Sequence, residues 1–432
     1  MTPDTGSASA ASSACPHLAA YDPLAPYELT DPYPTYAAAR SATPAFCSER
    51  FGLWFISRYE DVVAAIRDTE TFSSEFTGST LADFVPASRA EEVIQLRSAG
   101  LPDDSRFLLT TDPPAHHNRR KLAQQAFTPR RVAALEPLIV GRAEELCDTI
   151  AADERIEFMG AFAYPLTTTV IAGILGVGEQ VARQMRQVAE DLLVINSPGD
   201  RELDDAATAD VIQRLERIST LHRALAQELA ARRQRRVDDL LSAMAHTELA
   251  DGTRLADEDI LAISTELILA GTDTTANLIA HGLIYATEDR ELWVRIGEDA
   301  DKAKAVTEET LRRRGSSKGL FRVTTRDVDV SGVTIPAGSV VQLLYGSANH
   351  DESRFPDPRA FILDRPGIEQ HIAFGRGTHF CLGAPLARLE TQIALSALSR
   401  RFPQLRVAPC QEITYLPALS THTIAALQVL AT

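Results

Sequence analysis

Between Leu255 and Asp289 the chain reads "LADEDILAISTELILAGTDTTANLIAHGLIYATED". Asp257, Glu258 and Asp259 mark a helix start, and the apolar pattern that follows continues for about thirty residues, long for a helix in a globular chain. In its middle sits "AGTDTT", Ala270 to Thr275, a poor helix former by propensity. One explanation is a polar patch tolerated inside a long helix. The other is a purposeful break, in which Gly271 and hydroxyls bonding back to preceding carbonyls open the hydrogen-bond ladder.

This segment closes a stretch, about 115 to 315, that reads as helical with only brief turns. Before it, "LWFISRYEDVVAAIRDT" predicts a short strand and then a helix, and residues 74–111 predict a long irregular surface loop. After Arg322 the text alternates and carries turn signals at Ser331-Gly332 and Pro336-Ala337-Gly338, so it predicts strands; "EITYLPALSTHTIAALQVL" predicts a hairpin. Residues 1–19, rich in Ser, Ala and Thr, read as a disordered leader without the features of a signal peptide. With no internal repeat and no linker, residues 20–432 are expected to form one mainly α domain with small β-sheets.

The net charge of -16 gives no basic face for nucleic acid. No apolar run is long enough to span a membrane. The five cysteines are scattered, odd in number and without zinc spacing, which fits a reducing cytoplasm.

One of them stands in "FGRGTHFCLG", Phe374 to Gly383. A lone cysteine is usually a buried structural residue. Here, however, a helix is predicted to begin just after it: Leu382, Leu386, Leu389, Ile393 and Ala397 recur at helical spacing, and Pro385 suits a first turn. Free N–H groups and the positive dipole end favour a thiolate at such a place. A thiolate is the form that ligates haem iron and promotes O–O cleavage.

At these residues the chain resembles the cytochrome P-450 superfamily. Its haem-binding loop, Phe-Gly-x-Gly-x-His-x-Cys-x-Gly, is matched at every specified position. The resemblance implies the P-450 fold, a single domain of triangular outline, and haem b (iron protoporphyrin IX) bound by Phe374, Gly375, His379, Cys381 and Gly383, with Cys381 as the iron ligand. It implies that the helix containing Gly271 faces the haem, with Asp273 and Thr274 as the acid–alcohol pair: Thr274 toward dioxygen, Asp273 toward solvent protons. It places His116 and Arg120 of "AHHNRRK", Arg322 and His379 against the haem propionates, which need donors when buried. In "EETLRRR", Glu309 and Arg312 lie three apart and can pair; the resemblance buries them beside the haem loop with Arg365. A substrate pocket is expected from dispersed segments, including Ala270, Ser317, Lys318, Leu320, His422 and Thr423. The chain departs from the family between Arg313 and Arg322, where "SSKGLFR" replaces the usual Pro–apolar pair; Ser317 and Lys318 either contact a polar substrate or turn to backbone and water.

The implied reaction is monooxygenation of a small-to-medium organic substrate by O2, with electrons from a ferredoxin or flavodoxin and its NAD(P)H-dependent reductase. The alternatives are a peroxygenase driven by hydrogen peroxide, whose relatives lack the acid–alcohol pair, and a haem-thiolate sensor or carrier without turnover.

Overall fold

In the computed structural model, which describes residues 18, 20–75, 85–102, 106–150, 154–195, 203–248 and 254–431, helices carry most of the chain. Those that bear on the site are α1 (Ala87–Gly100), α2 (Ala115–Ala123), α3 (Tyr164–Leu175), α4 (Glu179–Ile195), α5 (Asp205–Gln234), α6 (Asp257–Glu288), α7 (Ala300–Arg314) and α8 (Ala384–Arg401). The strands are β1 (Ala45–Ser48), β2 (Leu53–Ile56), β3 (Phe72–Ser73), β4 (Glu154–Glu157), β5 (Leu320–Thr324), β6 (Val328–Val330), β7 (Val333–Ile335), β8 (Val340–Leu343), β9 (Arg406–Val407) and β10 (Gln428–Ala431). They make a five-stranded sheet in the order β1-β2-β8-β5-β3, a three-stranded sheet β4-β10-β9 and a two-stranded ribbon β6-β7. Only β2 and β8 pair in parallel. The antiparallel register of β5 with β8 sets Arg322 opposite Val341.

The long helix is where the sequence places it, but it is not broken. α6 runs without interruption from Asp257 to Glu288 and packs on α3, α4, α7 and α8. Thr265 donates to the Leu261 carbonyl at 2.9 Å, Thr274 to that of Ala270 at 2.5 Å and the Asn277 amide to that of Asp273 at 2.8 Å. These side chains bond back without opening the helix, because Thr272, Asp273, Thr275 and Ala276 are held by burial on their other sides. Gly271 is required for a different reason: a Cβ there would lie 2.3 Å from Cδ1 of Ile171, so the glycine admits α3 against α6.

Two other expectations change. The segment 74–111 is not a plain loop, since it contains α1, which docks on α5 with Val93 fully buried. Its anchor is one valine in a polar helix without a side-chain cap, too little periodicity to read as a helix. At the other end, Leu18 is buried with Tyr21, Tyr33, Phe46 and Phe55, so packed chain begins before residue 20; the remainder of the expected leader, 1–17 and 19, lies outside the described residues.

Beneath the sheet, Glu309 and Arg312 on α7 are completely buried. Arg312 reaches Glu309 with Nε and Nη2 at 2.9 and 2.8 Å, and donates to the carbonyls of Asn349 and Pro358 at 2.9 Å each. Arg365 completes the carboxylate with Nε at 3.0 Å, and the Ile362 N–H adds another bond at 3.0 Å. One carboxylate is shared by two guanidiniums whose other donors reach backbone carbonyls, so removing one partner strands the others in a dry site. Arg312→Met is expected to destabilise the fold by about 3–5 kcal/mol, the range for breaking a buried pair. Denaturant unfolding measures it, and a change below about 1 kcal/mol would mean the network is only decorative.

Candidate active site

The cysteine loop is shaped by two glycines. Gly375 and Gly377 both have φ of +66°, the left-handed region where a Cβ is strained. A short 3-10 turn, Gly377–His379, follows, and the Cys381 N–H donates to the Phe374 carbonyl at 3.0 Å, closing the loop. α8 begins three residues beyond Cys381, with Pro385 in its first turn. The predicted apolar face is only partly the observed one: Leu382, Leu389 and Ile393 are half-buried, whereas Ala384, Ala394, Leu395 and Leu398 are packed away. The helix is covered on more than one side.

The Cys381 side chain is open to solvent although protein surrounds it, so it lines a cleft. Burial pushes its thiol up. The amides of Gly383 and Ala384, which donate to the sulfur, and the charges of Arg120 and Arg388 pull it down without reversing the shift. The helix terminus therefore supplies the donors expected of it, but desolvation outweighs them. A metal ion bound at this sulfur would favour the thiolate further.

Facing this loop is a stripe of α6. Leu267, Ala270, Gly271 and Thr274 are all at least partly open, as are Glu266 and Leu269 beside them, while the turns of the helix on either side are buried. One turn further along the same face, Leu278 clusters with Ala373 and Phe374 of the cysteine loop and Leu311 of α7. The open stripe therefore looks toward the cysteine side. Asp273 is on the other flank, 2% exposed, with both oxygens engaged. Oδ1 accepts from Tyr164 Oη and Asn277 Nδ2, each at 3.0 Å, and Oδ2 accepts from Thr423 Oγ1 at 2.9 Å. Burial raises its pKa, and those three hydrogen bonds oppose the rise.

At the cleft's edge, His116, Arg322 and His379 come together with Arg120. The His116 and His379 rings lie 4.2 Å apart. Burial, then the nearby cations, lowers His116 to about 4 and His379 to about 3, so both are neutral. His379 meets Ser74 Oγ at 3.0 Å, and Arg120 donates to the Phe380 carbonyl at 2.5 Å. Both ring nitrogens of buried His116, and Nε and Nη2 of buried Arg322, lack a protein partner. Asp112, whose charge reaches His116, is held by Ser73 Oγ and the Ser74 N–H at 2.5 and 2.9 Å. A buried group made of donors calls for carboxylates from elsewhere. The two propionates of a haem would satisfy it, and the residues present fit that group.

The expected pocket residues divide. Ala270 is exposed on the open stripe, and Ser317 and Leu320 are half-buried. Lys318 is not a pocket residue: it is 3% exposed, its Nζ donates to the Ala418 carbonyl at 2.8 Å, and burial lowers its amine to about 7. His422 is 1% exposed, and Thr423 is fully buried against Asp273. Ser317 Oγ faces the Ser420 carbonyl at 3.4 Å. Without the proline, this segment turns its polar groups to the C-terminal turn. Gly271, expected at the cofactor, owes its identity to Ile171. Sequence reasoning missed Tyr164, for which no motif exists, and Glu266. The carboxylate of Glu266 accepts the N–H groups of Leu108 and Leu109 at 2.9 and 2.8 Å, pinning that segment to α6. Asn277 was findable as a polar residue one turn after Asp273.

Fold and site together define a haem-thiolate enzyme. A family model described as Cytochrome P450 matches residues 85–415. The monooxygenase PikC of Streptomyces venezuelae is 34% identical, the match covering 89% of this chain and 88% of that protein. Erythromycin C-12 hydroxylase of Saccharopolyspora erythraea is also 34% identical, over 83% and 84%. Cytochrome P450 CYP109Q5 from Chondromyces apiculatus superposes with a TM-score of 0.81 at 32% identity, covering 96% of this chain and 99% of that one. The chain belongs to the cytochrome P450 family, is a P450 monooxygenase, and uses haem b. No described helix is long and apolar enough to cross a membrane.

Cys381→Ser is expected to lose the long-wavelength Soret band that a thiolate imposes on the reduced carbon monoxide complex. Retention of that band in the variant's absorption spectrum would assign the iron to another ligand.

Proposed function

We propose that this monooxygenase inserts one oxygen atom of O2 into a small-to-medium organic substrate, by hydroxylation, epoxidation or oxidative dealkylation, in catabolism or secondary metabolism. Electrons come from a separate ferredoxin or flavodoxin and its NAD(P)H-dependent reductase. The observation that carries the reading is the placement of Asp273 and Thr274 on α6, with Thr274 on the open stripe that faces the cysteine loop. A peroxide-driven enzyme or a sensor has little use for that pair. A relative's name, erythromycin C-12 hydroxylase, makes C–H hydroxylation the first reaction to seek.

The haem, when bound, supplies the activation of dioxygen with two electrons and two protons. The protein's part is binding, orientation and protons. His116, Arg322 and His379 donate to the propionates. The Thr274 hydroxyl gives its hydrogen to the Ala270 carbonyl, leaving its oxygen as an acceptor toward the open stripe. Asp273, beside it, is a buried acid with a raised pKa and so can hold a proton without solvent.

Screening compounds for displacement of iron-bound water by the Soret shift identifies the substrate. Product formation is then compared with NADPH, ferredoxin and reductase under air and with hydrogen peroxide alone. Product only in the peroxide arm overturns the reading in favour of a peroxygenase; product in neither favours the sensor. Thr274→Ala is expected to keep consuming oxygen while diverting much of it to peroxide or water. Unchanged product per NADPH, across more than one substrate, would remove Thr274 from proton handling.

The redox partner is expected on the Cys381 side. Lys121 and Arg130 are exposed there, and Arg131 is partly so, but Arg388 is tied to Glu308 at 2.6 Å and Arg376 donates to the Gln370 carbonyl at 2.8 Å. Arg131 is likewise paired, to Asp238 at 3.5 Å, so the basic patch rests on Lys121 and Arg130. Association with an acidic ferredoxin should slow as salt rises and in Lys121→Gln/Arg130→Gln. A stopped-flow rate insensitive to both would exclude electrostatic docking.

A further inference from the structure

Asp273 presents a problem for any role in proton transfer. It is 2% exposed, and both oxygens point into protein hydrogen bonds. A buried acid that gives up protons must be recharged from outside, and water cannot touch this one directly.

Its three partners differ in what lies beyond them. Asn277 is fully buried on α6, and its Oδ1 accepts the Ile424 N–H at 2.7 Å, so it leads back into backbone. Thr423 is fully buried, and its Oγ1 continues to Thr421 Oγ1 at 3.0 Å, on a half-buried residue bridged to the Ser317 backbone. Tyr164 is different. It is the first residue of α3, only partly buried, and its ring lies under the guanidinium of Arg186 at 5.4 Å. Arg186 is exposed on α4, and one turn on is Glu190, also exposed. The charge of Glu190 is felt by both Tyr164 and Asp273, raising the pKa of each. Beyond the phenol, then, lies a part-open face that carries a surface cation and a surface carboxylate.

We propose that Tyr164 is the positioning residue that recharges Asp273 from the surface, while Thr423 and Asn277 only hold the carboxylate in place. This rests on the role given to Asp273 above. The phenol oxygen accepts a proton from the Glu190 side as its own hydroxyl proton passes to Asp273 Oδ1. Tyr164 begins and ends neutral, and one proton moves inward. A phenolate is never formed, which agrees with a phenol held far from ionisation by burial and by Asp273.

The comparison of Tyr164→Phe with Thr423→Val separates conduction from support, since each removes one hydrogen bond from Asp273. The infrared carboxyl band of protonated Asp273, identified by its loss in Asp273→Asn, should shift in both. NADPH-driven oxygen consumption, with a plant-type ferredoxin and its reductase, should fall about tenfold or more in Tyr164→Phe, less than the roughly 10²–10⁴-fold of a proton donor in direct contact with the reacting group, because Tyr164 acts through Asp273. The slowing in D2O should grow in that variant. In Thr423→Val, whatever happens to the rate, the D2O effect should stay at the parent's value. Equal D2O effects in Tyr164→Phe and the parent overturn the relay. So does a larger D2O effect of the same size in both variants, which would make Tyr164 a support like Thr423. If Asp273→Asn also leaves rate and D2O effect unchanged, the acid–alcohol reading falls with it; if Asp273→Asn changes them and Tyr164→Phe does not, that reading survives and only the relay is lost. Should Tyr164→Phe fail to hold haem, 3-fluorotyrosine at position 164 keeps the shape and changes only the acidity, and an unchanged D2O effect there overturns the proposal equally.

Discussion

Two adjacent carboxylates on α7 hold the cysteine loop from opposite sides. Glu309 takes Arg312, Arg365 and the Ile362 N–H, and so fixes the segment from about 356 to 365 that leads toward the loop. Glu308 takes His371 at 3.1 Å and Arg388 at 2.6 Å, one residue before the loop and one on the helix after it. Burial alone would raise Glu308; the bonds from His371 and Arg388 outweigh it and hold the carboxyl at about 2. The Arg388 guanidinium also lies 4.7 Å above the Phe374 ring. The loop's left-handed glycines give it a shape, but these charges hold that shape against α7. They act together with the apolar contact of Leu278 on α6 with Ala373 and Phe374, which sets the loop directly against that helix.

The site then works by a division of electrostatic labour. Around the sulfur are amide donors and Arg120 and Arg388, favouring negative charge. Around His116 and Arg322 are buried nitrogens without a protein partner, which two carboxylates would satisfy. The two histidines are kept neutral first by burial and then by the charges of Arg120 and Arg322 beside them. Both sets are unfavourable until the same group binds both, which couples holding the cofactor to the stability of the surrounding fold.

What was legible in the sequence follows from what is local. The ten-residue cysteine loop declares itself because left-handed glycines, a histidine donor and a thiol must stand at fixed spacing. The Glu309–Arg312 pair is one turn of one helix. α6 is long and apolar enough to read directly, yet its continuity is not, because the packing that stabilises "AGTDTT" comes from other elements. Likewise, nothing near Tyr164 in the sequence points to an aspartate 109 positions away. α1 was illegible because one buried valine makes no period.

The departure at "SSKGLFR" shows how a missing proline can be used. Ser316 Oγ donates to the Thr274 carbonyl at 2.5 Å, and the Ser316 carbonyl accepts the His422 N–H at 2.8 Å. The Lys318 N–H donates to the Ser420 carbonyl at 2.8 Å, and its Nζ donates to the Ala418 carbonyl just before it, also at 2.8 Å. A proline at 316 would lack the hydroxyl that ties this segment to α6. The segment thus joins α6 to the C-terminal turn, and that turn returns to α6 through Thr423 on Asp273 and Ile424 on Asn277. The polar residues that looked suited to a substrate instead close a ring of hydrogen bonds around the acid–alcohol pair. Selectivity for a polar substrate, if the chain has it, must then arise from the residues left facing the cleft, of which Ser317 is the one hydroxyl in this segment still partly open.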